Sequence, residues 1–222
     1  MIRRLAVFDV DGTLSDSQHH IHAAMTHSFA AQGLAPPDLA KVRAIVGLSL
    51  PLAVARLVPG ADAGQLAALV EGYKQSYFVA RSAEPAPLFP GAAEMLHRLA
   101  ARGDVALGIA TGKSRRGLDA LLAHFDLAGV FVTCQVADDH PSKPHPSMLL
   151  AALAETGVAA GDAVMIGDTT FDIEMARAAG VAGIGVEWGY HVPLALAQAG
   201  AARMVADFAA LEAALDGLWG RG

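Results

Sequence analysis

Asp9 and Asp11 stand two residues apart where an apolar run, "LAVFDV", meets the turn residue Gly12. In extended backbone, residues i and i+2 share a face, so the pair would present two carboxylates on one side. Carboxylates repel at close range and are costly to desolvate. A strand ending in Asp and Gly is also an ordinary start of a turn, and the pair alone fits either reading. Other polar residues close other apolar runs: Thr111 and Gly112 after "VALGIA", Asp168 after "AVMIG", with Asp172 one helical turn beyond it. Lys143 lies in the loop "DDHPSKPHP". Asp168 brought beside Asp9 and Asp11 would be strongly repulsive without a cation. Hard oxygen donors with no Cys or His partner favour Mg²⁺. Lys143 and the Thr111 hydroxyl could then hold a phosphate, helped by the backbone N–H groups of Gly12 and Gly112. Such a set suits phosphoryl transfer. An aspartate attacks phosphorus and splits hydrolysis into two steps, while metal and lysine stabilise the transferring group. A second carboxylic acid protonates the leaving alcohol and then activates water.

These residues must be delivered to one place by the elements that precede them. Short apolar runs at 5–10, 105–111, 130–134, 163–168 and 182–186 alternate with helical patterns at about 91–102, 114–124, 146–156 and 170–179. The alternation predicts a doubly wound α/β fold, a parallel sheet covered by helices on both faces. Ligands of such sheets bind outside the carboxyl ends of the strands, which is where the polar residues fall. From 17 to about 84 no strand is evident; helices are expected near 17–32, 37–45, 50–57 and 62–82. The proline-rich "EPAPLFPG" returns the chain to the sheet. The expected organisation is a core of residues 1–16 and 87–222, interrupted by an all-helical insertion at 17–86. The C-terminal stretch fits a helix, a short strand and a closing helix.

Composition narrows the partners. Of 222 residues 54% are apolar and 17% charged, so the chain is globular and not disordered. A net charge of −6 argues against a sequence-independent grip on nucleic acid. No run approaches the roughly 18 apolar residues of a membrane span. Asp9 and Asp11 interrupt the N-terminal apolar stretch too early for a signal peptide. Cys134 is the only cysteine, which rules out an intrachain disulfide and suits a cytoplasmic protein. It reads as a small buried hydrophobe.

Together, "FDVDGTLSDS", "ATGK", "SKPHP" and "GDTTFDIEMA" resemble the four ordered motifs of the haloacid dehalogenase superfamily, in its phosphatase branch. The likeness spans nearly the whole chain, including a helical cap inserted after the first strand, and is nearest to phosphoglycolate phosphatase and its relatives. The resemblance implies Asp9 as nucleophile and Asp11 as general acid/base. It implies Thr111 and Lys143 as phosphate ligands, and Mg²⁺ on Asp9, the backbone carbonyl of Asp11, and Asp168, supported by Asp172. The substrate implied is a small phosphorylated metabolite. Members that cleave carbon–halogen bonds are expected to lack the second aspartate, so Asp11 speaks against that chemistry. A phosphomutase of the β-phosphoglucomutase type and a pyrophosphatase are the alternatives within the fold; a phospho-ligand or partner-binding module is the non-enzymatic one. Monomer and homodimer both fit.

Several neighbours carry plainer expectations. Asp16 and Ser17 precede a helical run as N-cap candidates. His19, His20, His22 and His27 read as solvated or cleft-rim residues, since zinc would need further ligands. Lys113, Arg115 and Arg116 form a solvated first helical turn, against the helix dipole, or else meet a substrate anion. The loop "VGLSL" at 46–50 is a plain turn or a wall of the site. Asp138 and Asp139 could position the Lys143 loop, Asp139 as a partner for Lys143 itself. His145 is expected to pack or cap.

Overall fold

A computed structural model describes residues 3–220; residues 1–2 and 221–222 of the expected core lie outside the described residues. The six strands, all parallel, are β1 (Arg4–Phe8), β2 (Val105–Thr111), β3 (Thr133–Val136), β4 (Ala163–Gly167), β5 (Ala182–Val186) and β6 (Arg203–Val205). Their order is β3-β2-β1-β4-β5-β6. The chain winds outward from β1 to β2 and β3, then returns to the other side of β1 as β4. That reversal opens a crevice at the carboxyl ends of β1, β2 and β4.

The sheet is apolar on both faces because helices cover both. Along β1, Ala6 and Phe8 pack into one cluster with residues of α5 (Ala92–Ala100), α6 (Arg115–His124) and α10 (Phe208–Leu218). Leu5 and Val7 point to the opposite cluster, beneath α7 (Ser147–Thr156) and α8 (Thr170–Ala178). The C-terminal helix–strand–helix expected from the sequence is α9 (Pro193–Ala199), β6 and α10. Four helices separate β1 from α5: α1 (Gln18–Ala31), α2 (Leu39–Arg43), α3 (Leu50–Leu57) and α4 (Ala63–Ala83). They have a cluster of their own, in which Ile21, Met25 and Phe29 recur at helical spacing on α1 and meet Leu69 of α4, wholly buried. Phe171 and Tyr190 of the core join that cluster. The two segments crossing between lobe and core lie side by side: Asp16 N donates to Pro87 O (2.9 Å) and Phe89 N to Leu14 O (2.9 Å). Among the described residues no helix is long and apolar enough to cross a membrane.

The third strand departs from expectation. The apolar run at 130–134 predicted it there, but the paired residues are 133–136. Val130 and Phe131 pack on the core edge from a turn, and Val132 is 56% exposed. Thr133 and Gln135, polar yet buried, are satisfied by Glu155: Thr133 Oγ1 donates at 2.5 Å and Gln135 Nε2 at 2.9 Å. Apolarity is a poor guide where a strand's inward positions are polar and find a carboxylate.

Candidate active site

The residues singled out in the sequence meet at the carboxyl ends of β1, β2 and β4. Asp9 follows β1 directly, its N–H donating to Ile166 O (2.9 Å) and its own Oδ1 accepting from Val10 N (2.7 Å). The chain then leaves extended geometry. Val10 O accepts from Thr13, Leu14 and Ser15 N, at 3.2, 2.9 and 2.9 Å. Gly12 has φ +90°, and a Cβ there would sit 2.2 Å from Asp168 Oδ2, so both the turn and the close approach require glycine. The Gly12 N–H, expected at a phosphate, donates instead to Ser15 O (2.9 Å).

This turn separates the two carboxylates. Asp9 is buried, whereas the Asp11 carboxylate accepts from Ser17 Oγ (2.6 Å) and from Lys113 Nζ (2.8 and 2.9 Å). Two expectations are corrected here. Ser17 makes no side-chain cap to α1, because its hydroxyl is committed to Asp11, and Asp16 accepts from Gln18 Nε2 (2.9 Å). Lys113 is no solvated residue: its side chain is 8% exposed and also donates to Tyr77 OH at 3.2 Å. Burial opposes its charge, but Asp11 more than restores it, leaving the ammonium pKa raised.

From β4, Asp168 accepts from Thr13 Oγ1 (2.9 Å) and Tyr190 N (2.9 Å). Thr169 and Asp172 form a capping box at the start of α8. Asp172 Oδ2 accepts from Thr169 N (3.0 Å) and Oγ1 (2.7 Å), and Oδ1 accepts from Lys143 Nζ at 2.6 Å. Lys143, almost fully buried, also lies 3.0 Å from Asp9 Oδ2. Asp139 therefore does not hold Lys143; it pairs with Arg115 at 3.5 Å, while Asp138 accepts from Arg115 N. His145 takes the capping role, accepting from Ser147 N at 3.2 Å. The lysine loop is tied down by His140, which bonds Ser147 Oγ and Gln135 Oε1, both at 2.8 Å.

Thr111 ends β2, buried. At Gly112 a Cβ would lie 2.7 Å from the carbonyl oxygens of both Gly47 and Leu48. The loop at 46–50 is thus a wall of the site, and Ser49 N donates across to Ser142 Oγ (2.8 Å). A cavity of about 470 Å³ between lobe and core is lined by Asp9, Asp11, Thr111 and Gly112 together with lobe residues.

Ligand oxygens of Asp9, Asp168 and Asp172 lie within 4.8 Å of one another, the one metal-competent group among the described residues. The Asp11 carboxylate is outside it, leaving only its backbone carbonyl for the metal role the resemblance implies. Three buried carboxylates face the single ammonium of Lys143, and Asp9 Oδ2 has no aligned hydrogen bond. Burial, and then the charge of Asp172, push the Asp9 carboxyl up to about 6 against the pull of Lys143. Burial and the charges of Asp172 and Asp9 hold Asp168 well above the carboxylate range. Uncompensated charge, hard donors and an unpartnered oxygen fit a small divalent cation. The histidines are spent elsewhere: His20 Nε2 bonds Glu84 O (2.8 Å), His22 Nε2 bonds Pro37 O (3.1 Å), and His19 and His27 are exposed. Cys134 is half-buried, its thiol pKa raised by burial.

Four participants escaped the sequence reading. Thr169 carried a signal, the T-x-x-D of a capping box. Thr13 and Tyr190 had none, since their bonds to Asp168 depend on distant segments meeting; the Ser17–Asp11 bond had none because it depends on the turn between the two residues.

The family described as haloacid dehalogenase-like hydrolase matches residues 6–186. The chain is 37% identical over 196 residues to "Probable phosphatase IndB" of Dickeya dadantii, covering 86% of this chain and 84% of that one. It is 34% identical over 216 residues to phosphoglycolate phosphatase of Rhodospirillum rubrum, covering 94% and 89%. Among solved structures, a hydrolase from Pseudomonas syringae superposes with TM-score 0.86 at 27% identity, over 97% and 99% of the two chains.

Proposed function

The chain belongs to the haloacid dehalogenase-like hydrolases and is a phosphatase of that family; from that premise we propose that it hydrolyses phosphate monoesters of small metabolites with Mg²⁺ through an aspartyl phosphate on Asp9. The observation that carries this reading is the buried cluster itself: three carboxylates within 4.8 Å and one lysine set between Asp9 and Asp172. Asp9 Oδ2, with no aligned hydrogen bond, is the attacking oxygen. Asp11, in the same cavity, protonates the leaving alcohol and then takes a proton from the water that cleaves the intermediate. Thr111 and the N–H of Gly112 bind phosphate oxygens, and Lys143 neutralises charge on the transferring group. Asp172, whose oxygens are taken by Lys143 and Thr169, orients the lysine. Asp9, the Asp11 carbonyl and Asp168 hold the metal, which when bound offsets the carboxylates and polarises the phosphoryl oxygens. The helical segment 17–86 acts as a cap on a core of residues 1–16 and 87–222, excluding bulk water during the reaction. A cytoplasmic setting suits the single cysteine.

Phosphate release is measured for a panel of esters that includes phosphoglycolate, the compound in several relatives' names, together with sugar phosphates and pyrophosphate. Mg²⁺-dependent release from monoesters is expected. Isomer formation without release would mark a mutase, preference for pyrophosphate a pyrophosphatase, and Mg²⁺ binding with no turnover a binding module.

A further inference from the structure

The cavity is far larger than its acidic floor requires. Its volume of about 470 Å³ falls among pockets of roughly 300–1,000 Å³ that enclose ligands of many heavy atoms. A two-carbon leaving group would leave most of it unfilled. The walls are apolar: Ile21 and Met25 come from α1, Ile45 and Leu48 from the connection between α2 and α3, Tyr73 and Phe78 from α4. Tyr73 and Tyr77 stack at 5.6 Å with planes 16° apart. Burial raises the Tyr73 hydroxyl pKa still further above neutrality. Phe78 is 41% exposed, with the Arg116 guanidinium 4.1 Å and that of Arg81 5.6 Å from its ring centroid.

Charge points the same way. The cavity's one nearly buried cation, Lys113, is already neutralised by Asp11. Arg81 and Arg116 are engaged with Phe78, and Lys74 is exposed. A leaving group ending in a carboxylate would shed water against Ile, Met and Tyr side chains with no buried partner, which is costly. A ring would cover apolar wall and gain aromatic contacts.

Resting on the phosphatase reading above, we infer that the preferred substrate is the phosphate monoester of a larger alcohol bearing an aromatic or heteroaromatic ring, seated along Tyr73, Tyr77 and Phe78. Asp9 attacks phosphorus and the ester P–O bond breaks, the ring-bearing alcohol leaving with a proton from Asp11; water then cleaves the aspartyl phosphate and releases inorganic phosphate. The test compares kcat/KM with Mg²⁺ for phosphoglycolate and glycerol 3-phosphate against 2-phenylethyl phosphate and a nucleoside 5′-monophosphate. All four have alkanol-type leaving oxygens. The ring-bearing esters should lead by about tenfold or more, equivalent to about 1.4 kcal/mol. Phe78→Ala, at an exposed position, should lower their kcat/KM about fivefold through KM, within the range of aromatic pair contacts, while phosphoglycolate changes less than about twofold. Leu50→Trp, narrowing the chamber, should act in the same sense. Preference for phosphoglycolate, or variants that slow every ester alike, overturns the inference and leaves the phosphatase intact. No release from any ester by folded, Mg²⁺-binding protein overturns both.

Discussion

The acidic rim and the helical lobe line one cavity but are built on opposite principles. At the rim, Asp9, Asp168, Asp172 and Lys143 are buried charges whose positions are set by hydrogen bonds from Thr13, Thr169, Tyr190 and Val10. The lobe is held by side-chain packing around Leu69, with few polar fixtures; one is Ser28 Oγ donating to Leu69 O at 2.6 Å. Directional bonds fix atoms to the tolerance that chemistry needs. Non-directional packing permits the lobe's inner surface to vary in shape without unfolding. The rim should therefore respond to substitution in rate, and the lobe in stability or substrate choice.

Asp9→Asn tests the rim most severely. Loss of the proposed nucleophile should lower phosphate release by about 10⁴-fold or more, as removal of a covalent catalyst does elsewhere. Circular dichroism should show the fold unchanged. Wild-type turnover by this variant would end the assignment of Asp9.

Asp172→Ala would break the separation between rate and stability, because it strips Lys143 of its closest partner. Losing that hydrogen bond and the Thr169 capping box should cost about 1–3 kcal/mol in urea unfolding, since Asp9 still compensates the ammonium, alongside the loss of rate. Leu69→Ala, at a wholly buried lobe position, should cost about 2–5 kcal/mol. Its kcat at saturating substrate should stay close to wild type. A large loss of kcat with little loss of stability would contradict a lobe that acts on stability and substrate choice alone.

A pH titration of metal-free protein sharpens the electrostatic side. Asp9 in the folded chain is raised to about 6, above the unfolded carboxylate value of about 3.9. The folded state thus binds the proton more tightly, so stability is highest below about pH 4 as far as this group is concerned and falls as pH rises toward 6. The Asp9 share of the fall should be of order 2–3 kcal/mol in urea midpoint experiments; Asp9→Asn should remove that share and leave the part due to Asp168, whose carboxyl is also raised, while saturating Mg²⁺ should abolish both. A profile that rises over this window in metal-free protein, with no change on adding Mg²⁺, would be the contrary result.

The smallest effect is expected at the seam. Gly112→Ala sets a methyl group 2.7 Å from two lobe carbonyl oxygens, so the loop at 46–50 must shift. An increase of about tenfold in KM is expected, with a stability loss of about 1–3 kcal/mol, as overpacking against backbone costs. An unchanged KM would mean the seam is looser than its contacts indicate.

Much of this molecule was legible beforehand. The alternation of apolar runs with helical periodicity dictates a parallel sheet, because strands apolar on both faces need cover on both. Asp9, Thr111 and Asp168 were identifiable because strand ends are local features, and the ends of parallel strands share one rim; Lys143 stood out as the lysine of the polar, proline-rich loop after the third strand. Tertiary structure decided the partnerships. No local pattern says that Lys143 lies between Asp9 and Asp172, that Asp139 pairs with Arg115, or that Lys113 and Ser17 claim Asp11. Each partner is many residues away, or turned by a loop, and the choice depends on which charge is buried beside which. The displaced third strand has the same origin: Thr133 and Gln135 are tolerated inside only because Glu155 on α7 satisfies them. Periodicity and turn chemistry are properties of neighbours in sequence. Pairing of buried charges is a property of neighbours in space, and it forms only once the chain has folded.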